Sequence, residues 1–133
     1  MTDSSNMLNL LEDLLAKAKA KGADAADAVH IESQSLAVAQ RLGNPEKLER
    51  SESADIGLRA LVGKRQAIVS SSDIGTDALD ELVERVVAMA KSVTEDPYCG
   101  IADPDQLATE IVDVDSCDPN EPTAETLVDW ANR

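Results

Sequence analysis

The chain has 133 residues, 43% of them apolar, and 26 acidic against 12 basic side chains give a net charge of −14. That length fits one domain with a modest core, and the acid excess excludes sequence-independent nucleic-acid binding, which needs a basic footprint. No stretch approaches the about 20 apolar residues of a membrane span. The acidic start MTDSSNMLNLLEDLL lacks the basic flank of a secretory signal, so a cytoplasmic protein with no membrane contact is expected.

In chain order, residues 6–21 read as a helix, with Met7, Leu8, Leu11, Leu14, Leu15 and Ala18 at spacings of three and four and Gly22 as its stop. Residues 26–32 and 35–42 alternate in period two and are expected to form a hairpin across Gln34-Ser35. Gly43-Asn44-Pro45 marks the next turn. The polar run 47–53, KLERSES, reads as an edge strand, since charged side chains keep a sheet edge from pairing with other molecules. A second hairpin follows: Ile56, Leu58, Ala60 and Val62 share one face of its first arm, Gly63-Lys64 turns the chain, and residues 65–71 return. Residues 76–92 form a second helix, striped by Leu79, Leu82, Val83, Val86, Val87, Ala90 and Val93, with Thr76 or Asp73 as its cap. The expected fold is α+β: a mostly antiparallel sheet of four or five strands, because the connections are too short for parallel crossovers, with both helices on one face.

From residue 94 the character changes. Three Asp-Pro steps punctuate an acidic connection, with a short helix expected at 104–108 and an extended piece at 110–114. A last helix over 122–132 shows Leu127, Val128 and Ala131 on one side and stops without a closing turn, so the chain is expected to be the N-terminal piece of a longer protein. The expected division is a domain over 1–93 and an acidic connection leading to the next helix over 94–133.

Few residues offer chemistry. His30 titrates near neutral pH but has no acid–base partner at motif spacing, and reads as a strand histidine. Cys99 and Cys117 stand outside any CxxC pair, so with one His they make an incomplete zinc set, and a reducing compartment disfavours a disulfide between them. Glu46, Glu49 and Glu52 alternate faces and read as a solvated edge rather than a metal site. The acidic connection lacks the spacing of a calcium loop. No catalytic, cofactor-binding or metal-ligating residue is assigned.

The run from Leu36 to Gly75 carries Arg41-Leu42-Gly43, Ile56-Gly57-Leu58-Arg59 and Ser70-Ser71-Ser72-Asp73-Ile74. With these motifs the chain resembles the N-terminal region of the TldD/PmbA family, also called modulator of DNA gyrase. The segment from Asp96 to Asp103, DPYCGIAD, is similar to the PmbA (TldE) half of that family. Ala54 and Ala67 stand where the family often has glycine, a difference at strand ends. The resemblance implies a metallopeptidase complex whose zinc is held by a HExxxH helix, a motif this sequence lacks. It further implies that the zinc sits in a TldD-like partner subunit, while a PmbA-like domain shapes the chamber and contacts an extended peptide substrate. Residues 47–53 are the edge expected to take that peptide. The alternative reading is a non-enzymatic interaction or regulatory domain.

Overall fold

The computed structural model describes residues 4–133. It holds helix α1 (Ser4–Ala20), strands β1 (Ala25–Arg41), β2 (Asn44–Val62) and β3 (Arg65–Ser71), helix α2 (Thr76–Ser92), a 3-10 turn (Pro104–Gln106) and helix α3 (Ala124–Ala131). The strands make one sheet in the order β1-β2-β3. The α+β class therefore holds, with three antiparallel strands in place of four or five.

The difference has a simple cause. Gln34-Ser35 is not a turn: neither residue favours the positive φ that tight hairpins need, and β1 runs through it for 17 residues. In the same way Ser51-Glu52-Ser53 does not separate two strands, and β2 is continuous for 19 residues. The first turn sits at Leu42 (φ 52°) and Gly43 (φ 76°) rather than on Asn44-Pro45; positive φ at both central positions is the pattern of a type I′ turn. At the second turn only Gly63 has a positive φ (59°), the pattern of type II′.

The chain divides into two compact units. One is built on Met1–Glu32 and Ala54–Ala102, the other on Ser33–Ser53 and Asp103–Arg133. In the first, β2 and β3 pair antiparallel from Ile56↔Ser71 to Val62↔Arg65. Ile56, Leu58 and Ala60 of β2 and Ala67 of β3 turn to the same side. There they meet Leu14 and Ala18 of α1 and Leu82, Val83 and Val86 of α2 in one core. Each large aliphatic side chain buried this way contributes about 1.5–3 kcal/mol. Leu8 and Val93, expected in the stripes, lie outside this core at 62% and 38% exposure.

Both helices are fastened at their ends. After α1 the Ala23 amide bonds to the Ala18 carbonyl (3.0 Å) and the Gly22 amide to that of Lys19 (3.0 Å). With Gly22 at φ 105° this is a Schellman stop. Between the helices Lys21 Nζ donates to Glu84 (2.7 Å), Lys17 pairs with Asp80, and Lys91 Nζ donates to the Lys21 carbonyl (3.1 Å). The hydrogen bond to Glu84 raises the Lys21 pKa above the ordinary lysine value. Asp73 does not cap α2 directly: its carboxylate accepts from the Gly75 amide at 2.8 Å, and Gly75 is the N-cap.

In the second unit Thr123 caps α3, its hydroxyl accepting from the Thr126 amide (3.2 Å). No residue of α3 is buried. The expected extended piece at 110–114 forms no strand, and Ile111, Val112 and Val114 are exposed. Local turns replace it: the Asp113 and Asp118 carboxylates accept from the Asp115 and Asn120 amides at 3.0 and 2.9 Å.

Two substitutions separate these environments. Val83, 1% exposed, becomes an unpaired buried carboxylate in Val83→Asp. That costs several kcal/mol, which is comparable to the whole stability at the low end of the about 5–15 kcal/mol typical of a domain, and the first unit should unfold or melt far below the unsubstituted chain. Trp130, 53% exposed, should lose less than about 1 kcal/mol in Trp130→Ala. Thermal melts of this chain check both. A Trp130→Ala loss as large as that of Val83→Asp would contradict the assignment of the core.

Candidate functional site

Two helices cover one face of the sheet in the first unit and leave the other face open. On it Arg59 of β2 reaches across to Asp27 of β1. Its Nε donates to the Asp27 carboxylate oxygens at 2.9 and 3.2 Å, and its Nη2 makes a further bond to Oδ2. Nη1 lies 3.5 Å from the Gln66 Oε1 acceptor. This is a fork-to-carboxylate pair, the geometry that gives an arginine specificity as well as charge. The hydrogen bonds that Arg59 donates to the Asp27 carboxylate raise the Arg59 pKa above its already high ordinary value. Arg59 thus stays charged, and its charge is answered locally.

Beside the pair lies a shallow cavity of about 380 Å³ lined by Ala28, Val29, Gly57 and Ile68 with Asp27 and Arg59. A Cβ at Gly57 would stand 3.3 Å from Val29 Cγ1, so the glycine keeps the floor of this cavity open. Val29 and Ile68 are 51% and 66% exposed. Among the described residues this face combines apolar side chains with the Asp27–Arg59 ion pair.

The segment after α2 is pinned to the second turn of the sheet. The Asp96 amide donates to the Lys64 carbonyl (2.7 Å), and the Asp96 carboxylate accepts from the Tyr98 amide (2.9 Å). The Cys99 amide returns to the Asp96 carbonyl (3.1 Å), while Lys64 Nζ lies 3.5 Å from the Cys99 carbonyl. The motif Asp96-Pro97-Tyr98-Cys99 is therefore a turn that buries Cys99, at 6% exposure. Cys117 is exposed, and both thiols are free.

A separate feature is a strand edge. Beyond Ile56 β3 no longer pairs with β2, so among the described residues nothing bonds the outer side of β2 from Asn44 to Asp55, and every residue there is exposed. The expected edge at 47–53 is thus the distal half of β2 rather than a separate strand. Its carboxylates carry no shared ligand: Glu49 pairs with Lys47, Glu52 with Arg50 (2.7 Å), and Glu46 weakly with Arg41 (3.9 Å). Each sheet face of the ribbon carries its own ion pair at i, i+2 spacing. In the second unit a wider groove of about 700 Å³ runs between Leu36 and Leu48 of the ribbon and Pro122 to Leu127 at the start of α3.

Zinc requires about four convergent nitrogen, sulfur or oxygen ligands. Among the described residues no three His, Cys, Asp or Glu side chains converge in that way. His30, half-buried on β1, falls on the opposite strand face from Asp27. The described residues do not by themselves offer a zinc ligand set.

The architecture matches solved proteins of one class. A protein of Bacteroides thetaiotaomicron assigned as a modulator of DNA gyrase superposes over 85% of this chain and 25% of its own, with TM-score 0.75 and 17% identity. TldE of Thermococcus kodakarensis covers 71% of this chain and 22% of its own, with TM-score 0.64 and 17% identity. In sequence, the family model for PmbA/TldA metallopeptidase domain 1 matches residues 26–90. The metalloprotease PmbA of Escherichia coli O157:H7 is 27% identical over 119 residues, 90% of this chain. A metalloprotease PmbA homolog of Haemophilus influenzae is 31% identical over 80 residues, 60% of this chain. Over residues 26–90 the chain is thus similar to the first domain of the TldD/PmbA family. It spans 26% and 18% of the length of those two relatives.

The Asp27–Arg59 pair is half-exposed, with side chains 48% and 29% accessible. Asp27→Asn should therefore lower stability by only about 1 kcal/mol, the discounted value for a fork pair partly open to solvent. Urea denaturation measures it; an unchanged midpoint would show that the pair does not hold β1 to β2.

Proposed function

We propose that this chain is the N-terminal domain of a PmbA/TldE-like subunit of a TldD/PmbA metallopeptidase complex. It shapes the chamber and contacts substrate, while a TldD-like partner carries the zinc. Residues 1–93 are the domain proper, and 94–133 lead on through the acidic connection. The reading rests first on the family match over residues 26–90 and on the 27% identity to PmbA over 119 residues. The observation that supports a substrate role is the exposed, unpaired side of β2 from Asn44 to Asp55. An extended peptide adds to such an edge through its backbone alone, which suits a peptidase acting on varied unfolded sequences. The alternating ion pairs of the ribbon guard the edge against unselective pairing and leave its backbone groups available. No helix among the described residues is long and apolar enough to cross a membrane, and a cytoplasmic complex is proposed.

The test uses the full-length protein, alone and mixed with a TldD-like partner. Alone it should hold no stoichiometric zinc and hydrolyse no peptide; the mixture should cleave an extended peptide. N-methylation of alternate peptide nitrogens should abolish that cleavage, because strand addition needs those donors. Tightly held zinc and peptidase activity in the protein alone would overturn the division of roles. Undiminished cleavage of the N-methylated peptide would overturn edge binding.

A further inference from the structure

The groove beside α3 lies wholly within the second unit, on residues 33–53 and 103–133. Its floor is one face of the ribbon. Leu48 and Arg50 of β2, two residues apart, share that face, and Leu36 of β1 joins them. Its wall is the start of α3, where Ala124 and Leu127 stand three residues apart on one side of the helix. The Thr123 cap on the Thr126 amide (3.2 Å) holds that wall in place. The groove is not equally open across its width. Leu36 on β1 is 36% exposed and Leu48 on β2 is 66% exposed. It therefore opens toward β2, whose outer side is the edge that no described residue pairs with.

A strand added to that edge obeys the pleat. Every second side chain of it stands on the face of Leu48 and Arg50, with Cβ atoms about 4.5–5.5 Å from theirs. Those side chains meet the mouth of the groove, and the alternate ones face the other way. Leu36, Leu48, Pro122 and Leu127 give the groove apolar walls, so an apolar side chain gains by entering it. Charge sets the flanks. Arg50 donates to Glu52 through Nε (2.8 Å) and Nη2 (2.7 Å), so its charge is answered locally. The α3 side is not balanced: residues 103–133 hold nine acidic side chains against Arg133 alone, and Glu121 lines the groove. Basic residues of a peptide are drawn to that side and acidic ones are repelled.

We infer that this groove is the side-chain pocket of the β2 edge, and that it selects extended peptides carrying a leucine-sized apolar residue between basic ones. The inference rests on the edge reading proposed above. It adds a sequence preference, which side-chain pockets impose and backbone pairing does not.

Fluorescence anisotropy with the full-length protein and the labelled peptide KTKTLTKTK tests it. This peptide should bind roughly tenfold tighter than KTKTSTKTK. It should also bind tighter than ETETLTETE, by a margin that shrinks as salt rises. Leu48→Ser should erase the preference for leucine over serine and leave the affinity for KTKTSTKTK as it was. Because Leu48 lies outside the core, the melting temperature should not move, which separates a pocket residue from a merely structural one. Methylation of alternate nitrogens in KTKTLTKTK reads the edge separately. Binding lost on methylation, with equal affinity for the leucine and serine peptides, overturns the pocket and leaves the edge standing. Binding undiminished by methylation, or no binding of KTKTLTKTK at all, overturns the edge and the pocket with it. A leucine preference that survives Leu48→Ser overturns the assignment to this groove, and equal affinity for the acidic and basic peptides overturns the choice of basic flanks.

Discussion

Everything in the first unit depends on one face of β2. Ile56, Leu58 and Ala60 are fully buried there, and α1 and α2 both converge on them. Two helices, each with a single apolar stripe, have only this one surface to share. The consequence lies on the other side of the strand. Gly57 and Arg59 alternate with the core residues and must face away from the helices. An open face with a cavity and an ion pair follows directly from a one-sided core. The long strands have a similar consequence: β2 outruns β3, so its distal half keeps an unpaired edge.

Much of this was legible in the sequence because it rests on short-range periodicity. The span of α2 follows from its apolar stripe, and α1 ends where Gly22 allows a left-handed stop. The inward set of β2 follows from strict alternation. Strand count did not follow, because a two-residue polar step resembles a turn in composition. What distinguishes them is backbone conformation, and Gln34-Ser35 stays extended while Leu42-Gly43 does not. Leucine at a positive-φ position is a choice that turn chemistry does not foretell.

The candidate site was less legible, and for a physical reason. Asp27 and Arg59 lie 32 residues apart, and their pairing depends on the register of β1 against β2, which a continuous strand sets and a supposed hairpin hides. The burial of Cys99 depends on the Asp96 amide finding the Lys64 carbonyl, a contact between two loops with no periodic signal. Asp96-Pro97 did mark a turn. For the carboxylates at 46, 49 and 52 alternation alone separates their faces, and in the structure each finds a basic neighbour.

The most direct measurement is amide hydrogen exchange of this chain, resolved residue by residue. Ile56 to Val62, bonded to strands on both sides, should exchange slowly throughout. From Asn44 to Asp55 every second amide faces β1 and the alternate ones face solvent, so slow and fast exchange should alternate along the strand. Uniform protection from 44 to 62 would mean that the edge is covered, and would contradict the free strand edge from which the peptide site is argued.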